Sequence, residues 1–163
     1  MSNEQAEFAE FFQASWEPCL RAVMAVVGRS QLAEDQVAEA FARAWVSWQK
    51  VRRHPAPRAW VVRTALNTGA SWWRKRSREL PLAAHDLTTP DGLGGGLDAA
   101  LLTALGRLPT RQREVIALRI FLDLDTDTIA RQLGIEAGTV RTHLSRGVAA
   151  LRRELMTNTT EAE

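Results

Sequence analysis

Every charged side chain between Lys50 and Arg78 is basic. Within that window Arg63, Asn67, Ser71, Arg74 and Arg78 recur every three or four residues, so on a helix they share one face. Val62, Leu66, Ala70 and Trp73 make an apolar stripe beside it. A basic stripe with one neutral amide, interleaved with tryptophans, suits a polyanion whose bases stack and hydrogen-bond: nucleic acid. A solvated helix face is the competing reading of the same charges. A second candidate set lies nearer the other end. Arg141, Thr142, Ser145 and Arg146 stand opposite Val140, Leu144, Val148, Leu151 and Leu155. Arginine and hydroxyl side chains reach phosphates and base edges from a helix in a major groove. Acids gather before both sets, at Glu4, Glu7, Glu10, Glu17, Glu34, Asp35 and Glu39. Separated fields of opposite sign suit two partners, a basic protein surface and a nucleic acid, or else an attraction between the two halves themselves.

The same inventory argues against catalysis. His54, His85 and His143 are isolated and no metal-ligand spacing occurs. Gly92-Leu93-Gly94-Gly95-Gly96 lacks the Lys and Ser/Thr of a phosphate-binding loop. No catalytic, cofactor or metal residues are therefore expected. Cys19 is the sole cysteine, which rules out an intrachain disulfide and reads as a small core residue. No apolar run approaches the ~20 residues of a membrane span. The start, MSNEQAEFAEFF, lacks the basic opening of a signal peptide, so the expected compartment is the cytoplasm.

The elements that must carry these side chains read as helices throughout. Ser2–Ser15 and Glu17–Val27 form two, with Pro18 just inside the second. Ala33–Lys50 forms a third, with Val37, Phe41, Trp45 and Trp48 on its apolar side. After a stiff His54-Pro55-Ala56-Pro57 loop, Pro57–Arg78 forms one helix of roughly 33 Å. All six tryptophans precede residue 80. Leu80–Leu97 then has Pro, Gly and Thr and no Lys or Arg, the composition of a flexible acidic linker. Beyond it Asp98 can cap a helix to about Leu105, Thr110 can cap Arg111–Phe121, and Asp125 or Thr126 can start a helix ending near Leu133. Gly134 suits a left-handed helix end, and a last helix runs from about Ala137 to Leu155. The predicted fold is all-α, with domains at 1–79 and 98–157, a linker at 80–97 and a tail at 158–163.

The spacing Ala130…Gly134…Val140 is that of a helix-turn-helix: a small residue for close approach, a glycine for the turn, a branched residue to lock the second helix. With this pattern in view the chain resembles a known family. LPTRQREVIALR and TIARQLGIEAGTVRTHLSRGVAALRREL resemble region 4 of bacterial sigma-70-family factors. AEDQVAEAFARAW, then AWVVRTALN followed by WWRKR, resemble region 2. The two regions with only a short linker are the layout of the extracytoplasmic-function (ECF) sigma factors, and SWWRKR and GTVRTHLSR are closest to the SigE-like actinobacterial group.

The resemblance implies roles. Glu34, Asp35 and Glu39 match the segment that docks on the clamp helices of the polymerase beta-prime subunit. Arg63, Asn67, Ser71, Arg74, Lys75, Arg76 and Arg78 match the helix that opens the −10 element, with Asn67 placed for an extruded base. Arg141, Thr142, Ser145 and Arg146, together with Arg119, match the −35 readers. The linker matches the segment threading the RNA exit path. Implied partners are core RNA polymerase (beta-prime clamp helices and beta flap), promoter DNA and an anti-sigma factor, with no membrane; the free protein is expected as a monomer that joins the nucleoid in holoenzyme.

Four departures stand out. Gln36-Val37-Ala38 replaces a common Leu-Val-Gln, and Val61-Val62 replaces Leu-Tyr, in a chain without tyrosine. Thr128 stands where an acid is common, and the Pro55-Ala56-Pro57 loop is short. Fewer aromatics to wedge between bases implies weak melting power and a narrow promoter set. Two alternatives compete with a sigma factor: a dimeric helix-turn-helix regulator of palindromes, using Phe8–Trp48 to dimerise, and a nucleic-acid enzyme, which would need clustered carboxylates for metal ions where the acids here fall on one helix start without a second set.

Overall fold

The computed structural model describes residues 2–28, 30–79 and 97–161, with helix backbone alone at 30, 69–79 and 161. Among them are eight α-helices, one π-helical turn and no strand, in keeping with an all-α fold. The segment 80–96, with its expected hinge, lies outside the described residues.

The first helix, α1 (Asn3–Val27), opens with a reciprocal cap. Ser2 Oγ accepts from the Gln5 amide at 3.2 Å, and the Ser2 amide donates to Gln5 Oε1 at 2.8 Å. The helix runs through Pro18, so the break expected between Ser15 and Glu17 is absent. A proline here removes the amide that would donate to the carbonyl four residues back. That carbonyl, of Ala14, accepts instead from Arg58 Nη2 at 2.8 Å, while Arg58 Nε donates to the buried Ser15 Oγ at 3.1 Å. One guanidinium from a distant helix thus fills the gap that Pro18 opens. Gly28, at φ 79°, ends the helix and returns its amide to the Met24 carbonyl.

Next, α2 (Ser30–Val46) and α3 (Trp48–Val51) occupy the span expected as a single helix over Ala33–Lys50. The chain breaks at Ser47, whose φ/ψ of −104°/26° leave the helix, and the Lys50 and Val51 amides both converge on its carbonyl at 2.9 Å. The break turns Trp48 inward, edge-on to Phe8 with ring centroids 5.3 Å apart. Phe11, Phe12, Trp16 and Phe41 complete an aromatic seam between α1 and α2. The fourth helix, α4 (Pro57–Glu79), starts at Pro57 as its sequence predicts and buries Val61, Val62 and Ala65 against α1 and α2.

The C-terminal helices are α5 (Ala99–Gly106), α6 (Thr110–Ile116) with its π-helical continuation Ala117–Phe121, α7 (Thr126–Leu133) and α8 (Ala137–Glu161). Asp98 and Asp125 cap α5 and α7, each accepting an amide three residues on at 2.8 Å. Thr110 is not the cap expected of it. Pro109, at ψ 145°, holds that position, and Thr110 is the first helical residue, its Oγ1 accepting from Arg113 Nη2 at 3.0 Å. Residues 158–161, read as tail, continue α8. Gly147 marks the α6–α8 crossing: a Cβ there would lie 2.6 Å from Ile116 Cδ1.

The two sets of helices share an apolar seam. α1 packs against α2 and α4, and also against α5, α6 and the π-helical turn. Ala22, Val23, Met24 and Ala25 are consecutive and at most 2% exposed. Four successive helical positions point round almost the whole helix, so this stretch of α1 is enclosed on every side.

Candidate nucleic-acid interface

The helix-turn-helix forms as its spacing requires. Gly134 sits at φ 66°, ψ 37°, and its amide and that of Ile135 both donate to the Ala130 carbonyl. Ala130 and Val140 are buried. Pinning α8 by Val140 and Leu151 leaves Arg141, Thr142, Ser145 and Arg146 exposed together along its first half. The Thr142 hydroxyl donates back to the Gly138 carbonyl at 3.0 Å, leaving its oxygen lone pairs for a partner. His143, between these side chains, is half-buried and its Nδ1 has no partner.

Arg119 is placed differently from the other four. It lies on the π-helical turn, exposed, with Nη1 donating to the Leu124 carbonyl at 2.9 Å. That bond fixes the loop leading into the Asp125 cap. The Thr128 amide, with Thr128's side chain adding to it, holds the Asp125 carboxyl below its ordinary value; Arg131 and Arg119 favour the same charged form.

On α4, Arg63 and Asn67 are exposed, while Val62 is buried and Leu66 packs on the core, so the two stripes expected of this helix separate. Ser71, Arg74, Lys75, Arg76 and Arg78 continue the helix, but their side chains lie outside the described residues. The basic window is not uniform in use. Arg58 belongs to α1's repair, and Arg52 pairs with Glu7 at 3.4 Å, one local form of attraction between acidic and basic segments. Arg63 Nη1 donates to the Gln132 carbonyl at the end of α7.

On α2, Glu34, Asp35 and Glu39 are all exposed. Glu39 pairs with Arg43 at 3.2 Å; among the described residues Glu34 and Asp35 have no cationic partner. Trp45, expected on the apolar side, is 40% exposed, with its ring centroid 5.2 Å from that of Phe8. Gln36 is turned into the core, 7% exposed, with Oε1 unpartnered.

Sequence reasoning missed three residues that organise these surfaces: Arg58, Gly147 and Arg113. Arg113 Nη1 donates to the Val26 carbonyl of α1 at 2.8 Å, and its half-buried guanidinium is pulled below its ordinary pKa by desolvation, opposed by Glu114. Cys19 is buried, its thiol pushed up to about 12 by desolvation against the pull of Arg58, and its S–H faces the Arg58 carbonyl at 3.7 Å. Among the described residues no group of His, Cys, Asp or Glu could hold a metal ion, and no helix is long and apolar enough to cross a membrane.

Comparisons with known proteins agree with this geometry. Residues 15–79 match the family model for sigma-70 region 2, and residues 98–151 that for sigma-70 region 4. The chain is 31% identical to the RNA polymerase sigma-E factor of Streptomyces coelicolor, over 98% of this chain and 92% of that one. It is 33% identical to the sigma-E factor of Streptomyces antibioticus, over 98% and 91%. With the ECF sigma factor SigL of Mycobacterium tuberculosis it shares 31%, over 93% and 88%. Among solved structures, the sigma factor RpoE of Bartonella quintana, crystallised with the anti-sigma factor NepR, has the same fold: TM-score 0.75, 24% identity, 92% of this chain and 97% of that one. With both regions present in order and relatives matched from end to end, the chain belongs to the extracytoplasmic-function sigma factors of the sigma-70 family, the subunits that direct bacterial RNA polymerase to specific promoters.

Proposed function

We propose a division of labour among the three surfaces. Glu34, Asp35 and Glu39 on α2 meet a basic face of core polymerase, the beta-prime clamp helices, with the exposed Trp45 beside them as the apolar anchor. The helix-turn-helix unit sets Arg141, Thr142, Ser145 and Arg146 in the major groove of the −35 element and docks on the beta flap. Arg63 and Asn67, with the basic residues that follow on α4, hold the −10 strand. Arg119 acts mainly by fixing the α7 entry loop, with a phosphate as its secondary partner. An anti-sigma factor of the kind named for the Bartonella relative belongs to the same proposal. The chain itself carries no reaction: it works by binding, within holoenzyme on the nucleoid.

The observation that carries this reading is the joint exposure of the four α8 side chains on a helix-turn-helix whose Gly134, Ala130 and Val140 are all in place. The test is run-off transcription with core polymerase on genomic fragments, followed by start-site mapping. Arg141→Ala or Arg146→Ala should weaken promoters that need a −35 element, by roughly 1–3 kcal/mol where the arginine reads guanine. Asn67→Ala should leave −35 binding intact and change opening or base preference at one −10 position, read by permanganate footprinting. DNA binding that is equally tight and specific without core polymerase would replace this reading with that of a stand-alone regulator.

A further inference from the structure

The turn between α3 and α4 is held by a histidine. Its backbone donors can be followed one by one. The Arg52 amide donates to the Trp48 carbonyl at 2.9 Å, that of Arg53 to Lys50 at 3.3 Å and that of His54 to Val51 at 3.0 Å. Pro55 and Pro57 have no amide to place. The Ala56 amide is left over, on a residue only 7% exposed, and it donates to Nδ1 of the half-buried His54 ring at 2.9 Å. The Ala56 carbonyl in turn accepts from the Trp60 amide at 3.1 Å, in the first turn of α4. Ala56 is thus tied on one side to the imidazole and on the other to α4. A backbone amide can only donate, so Nδ1 carries a lone pair and the ring proton sits on Nε2. Arg53 and Pro55 flank His54 and are exposed, and the Arg53 guanidinium has no partner among the described residues. Beyond the turn, the half-buried Trp60 and the exposed Arg63 and Asn67 follow at helical spacing on one face of α4.

We propose that His54 is a positioning residue for the −10 strand: its neutral ring fixes the α3–α4 turn so that Arg53 and Pro55 lead into the Trp60–Arg63–Asn67 face. The two prolines lock their own φ and restrict the residue before each, which leaves few soft torsions in the turn. The imidazole selects among them. Without it the buried Ala56 amide loses its acceptor and must turn toward water, and Pro55 and Arg53 move with it. The requirement is specific in position, because the accepting nitrogen is bonded directly to Cγ. Asparagine puts its Oδ1 at the same place and closes the same turn on the amide two residues on. Glutamine carries its carbonyl oxygen one bond farther out, and leucine has no acceptor. The inference rests on α4 carrying the −10 strand. It adds that strand opening depends on a side chain whose own bond is to the backbone of the turn.

The test uses the full chain. Ring-nitrogen spectra of the wild type at about pH 8, which need no variant to fold, should show the His54 proton on Nε2. A proton on Nδ1 overturns the brace. Hydrogen exchange at the Ala56 amide should speed by about tenfold in His54→Leu and His54→Gln and return to the wild-type rate in His54→Asn. Holoenzyme assembled with each chain is then followed by permanganate footprinting. Opening of the −10 region should slow by about tenfold with His54→Leu and His54→Gln, as the competent shape of the turn becomes less populated, and recover with His54→Asn, while −35 occupancy stays constant. Exchange at Ala56 that is the same in all four proteins overturns the brace. Faster exchange with unchanged opening and unchanged −10 base preference overturns the positioning role and makes the bond a local stabiliser. Failure of the functional reading shows separately, as absence of run-off transcription by wild-type holoenzyme while ring spectra and exchange still report the brace; the positioning role falls with it.

Discussion

The repair of α1 by Arg58 can be weighed by a double-mutant cycle. Pro18 deprives the Ala14 carbonyl of its helical donor, and Arg58 supplies one at 2.8 Å while also donating to Ser15 Oγ at 3.1 Å. Hydrogen bonds from a charged group contribute about 1.5–3 kcal/mol net. The Ala14 carbonyl lies at an exposed position where water can substitute, whereas Ser15 is buried and would lose its partner. Arg58→Met, which keeps the aliphatic stem, should therefore cost about 2 kcal/mol, near the middle of that range. For a chain of this length that lowers Tm by about 4–8 °C. Pro18→Ala should stabilise, because the restored amide bonds the Ala14 carbonyl within the helix. In the Pro18→Ala background Arg58→Met should then cost about 1 kcal/mol less, the net worth of one ordinary hydrogen bond. Urea titrations of the four proteins, with calorimetry to confirm one transition, give the coupling directly. An Arg58→Met cost that is the same in both backgrounds to within about 0.3 kcal/mol would show that the guanidinium does not serve the proline gap.

Three further outcomes follow from single sites. Gln36→Leu should raise stability by about 1–3 kcal/mol in urea, since it removes a buried amide oxygen without a partner. Gly147→Val should cost about 1–3 kcal/mol, because its first side-chain atom would already meet Ile116, and methyl resonances of Ile116 should shift while those of α2 do not. The Asp125 carboxyl is held below its ordinary 3.8 by the Thr128 amide, so its cap stabilises α7 above that pH and is lost as pH falls through the lowered folded value. Asp125→Asn keeps an acceptor for Thr128 but cannot be protonated, and should flatten the acid limb of melting curves taken below about pH 4.

What could be read from the sequence, and what could not, divides by distance along the chain. The caps at Ser2, Asp98 and Asp125 join residues three apart, and Gly134 closes on Ala130, so local pattern contains both partners. The same locality made the helix-turn-helix and its four outward side chains legible, because one helical repeat separates core from surface. Thr110 failed as a cap for a local reason too: Pro109, already extended and lacking an amide, fits the helix entry without it. The arginines failed for a different reason. Arg58, Arg63 and Arg113 reach partners 44, 69 and 87 residues away. Composition counts such a residue as one more positive charge. Packing decides whether the charge repairs a helix, ties two units together or waits for a phosphate.

Even so, part of that division was written locally, as a deficit rather than as a contact. Pro18 within an apolar, otherwise helical run announces a carbonyl without its donor. A long helix that ends at Gly28 with no base in its last turn announces carbonyls without a counter-charge. A backbone acceptor without its helical donor must find either water or a donor from elsewhere in the chain. An arginine is the side chain best able to meet either need, since it presents several donors at the end of a long stem. The basic window therefore has two claims on it, from DNA and from the chain's own helix ends. The same chemistry that suits an arginine to a phosphate suits Arg63 to the Gln132 carbonyl, so charge alone does not tell a folding contact from a binding one.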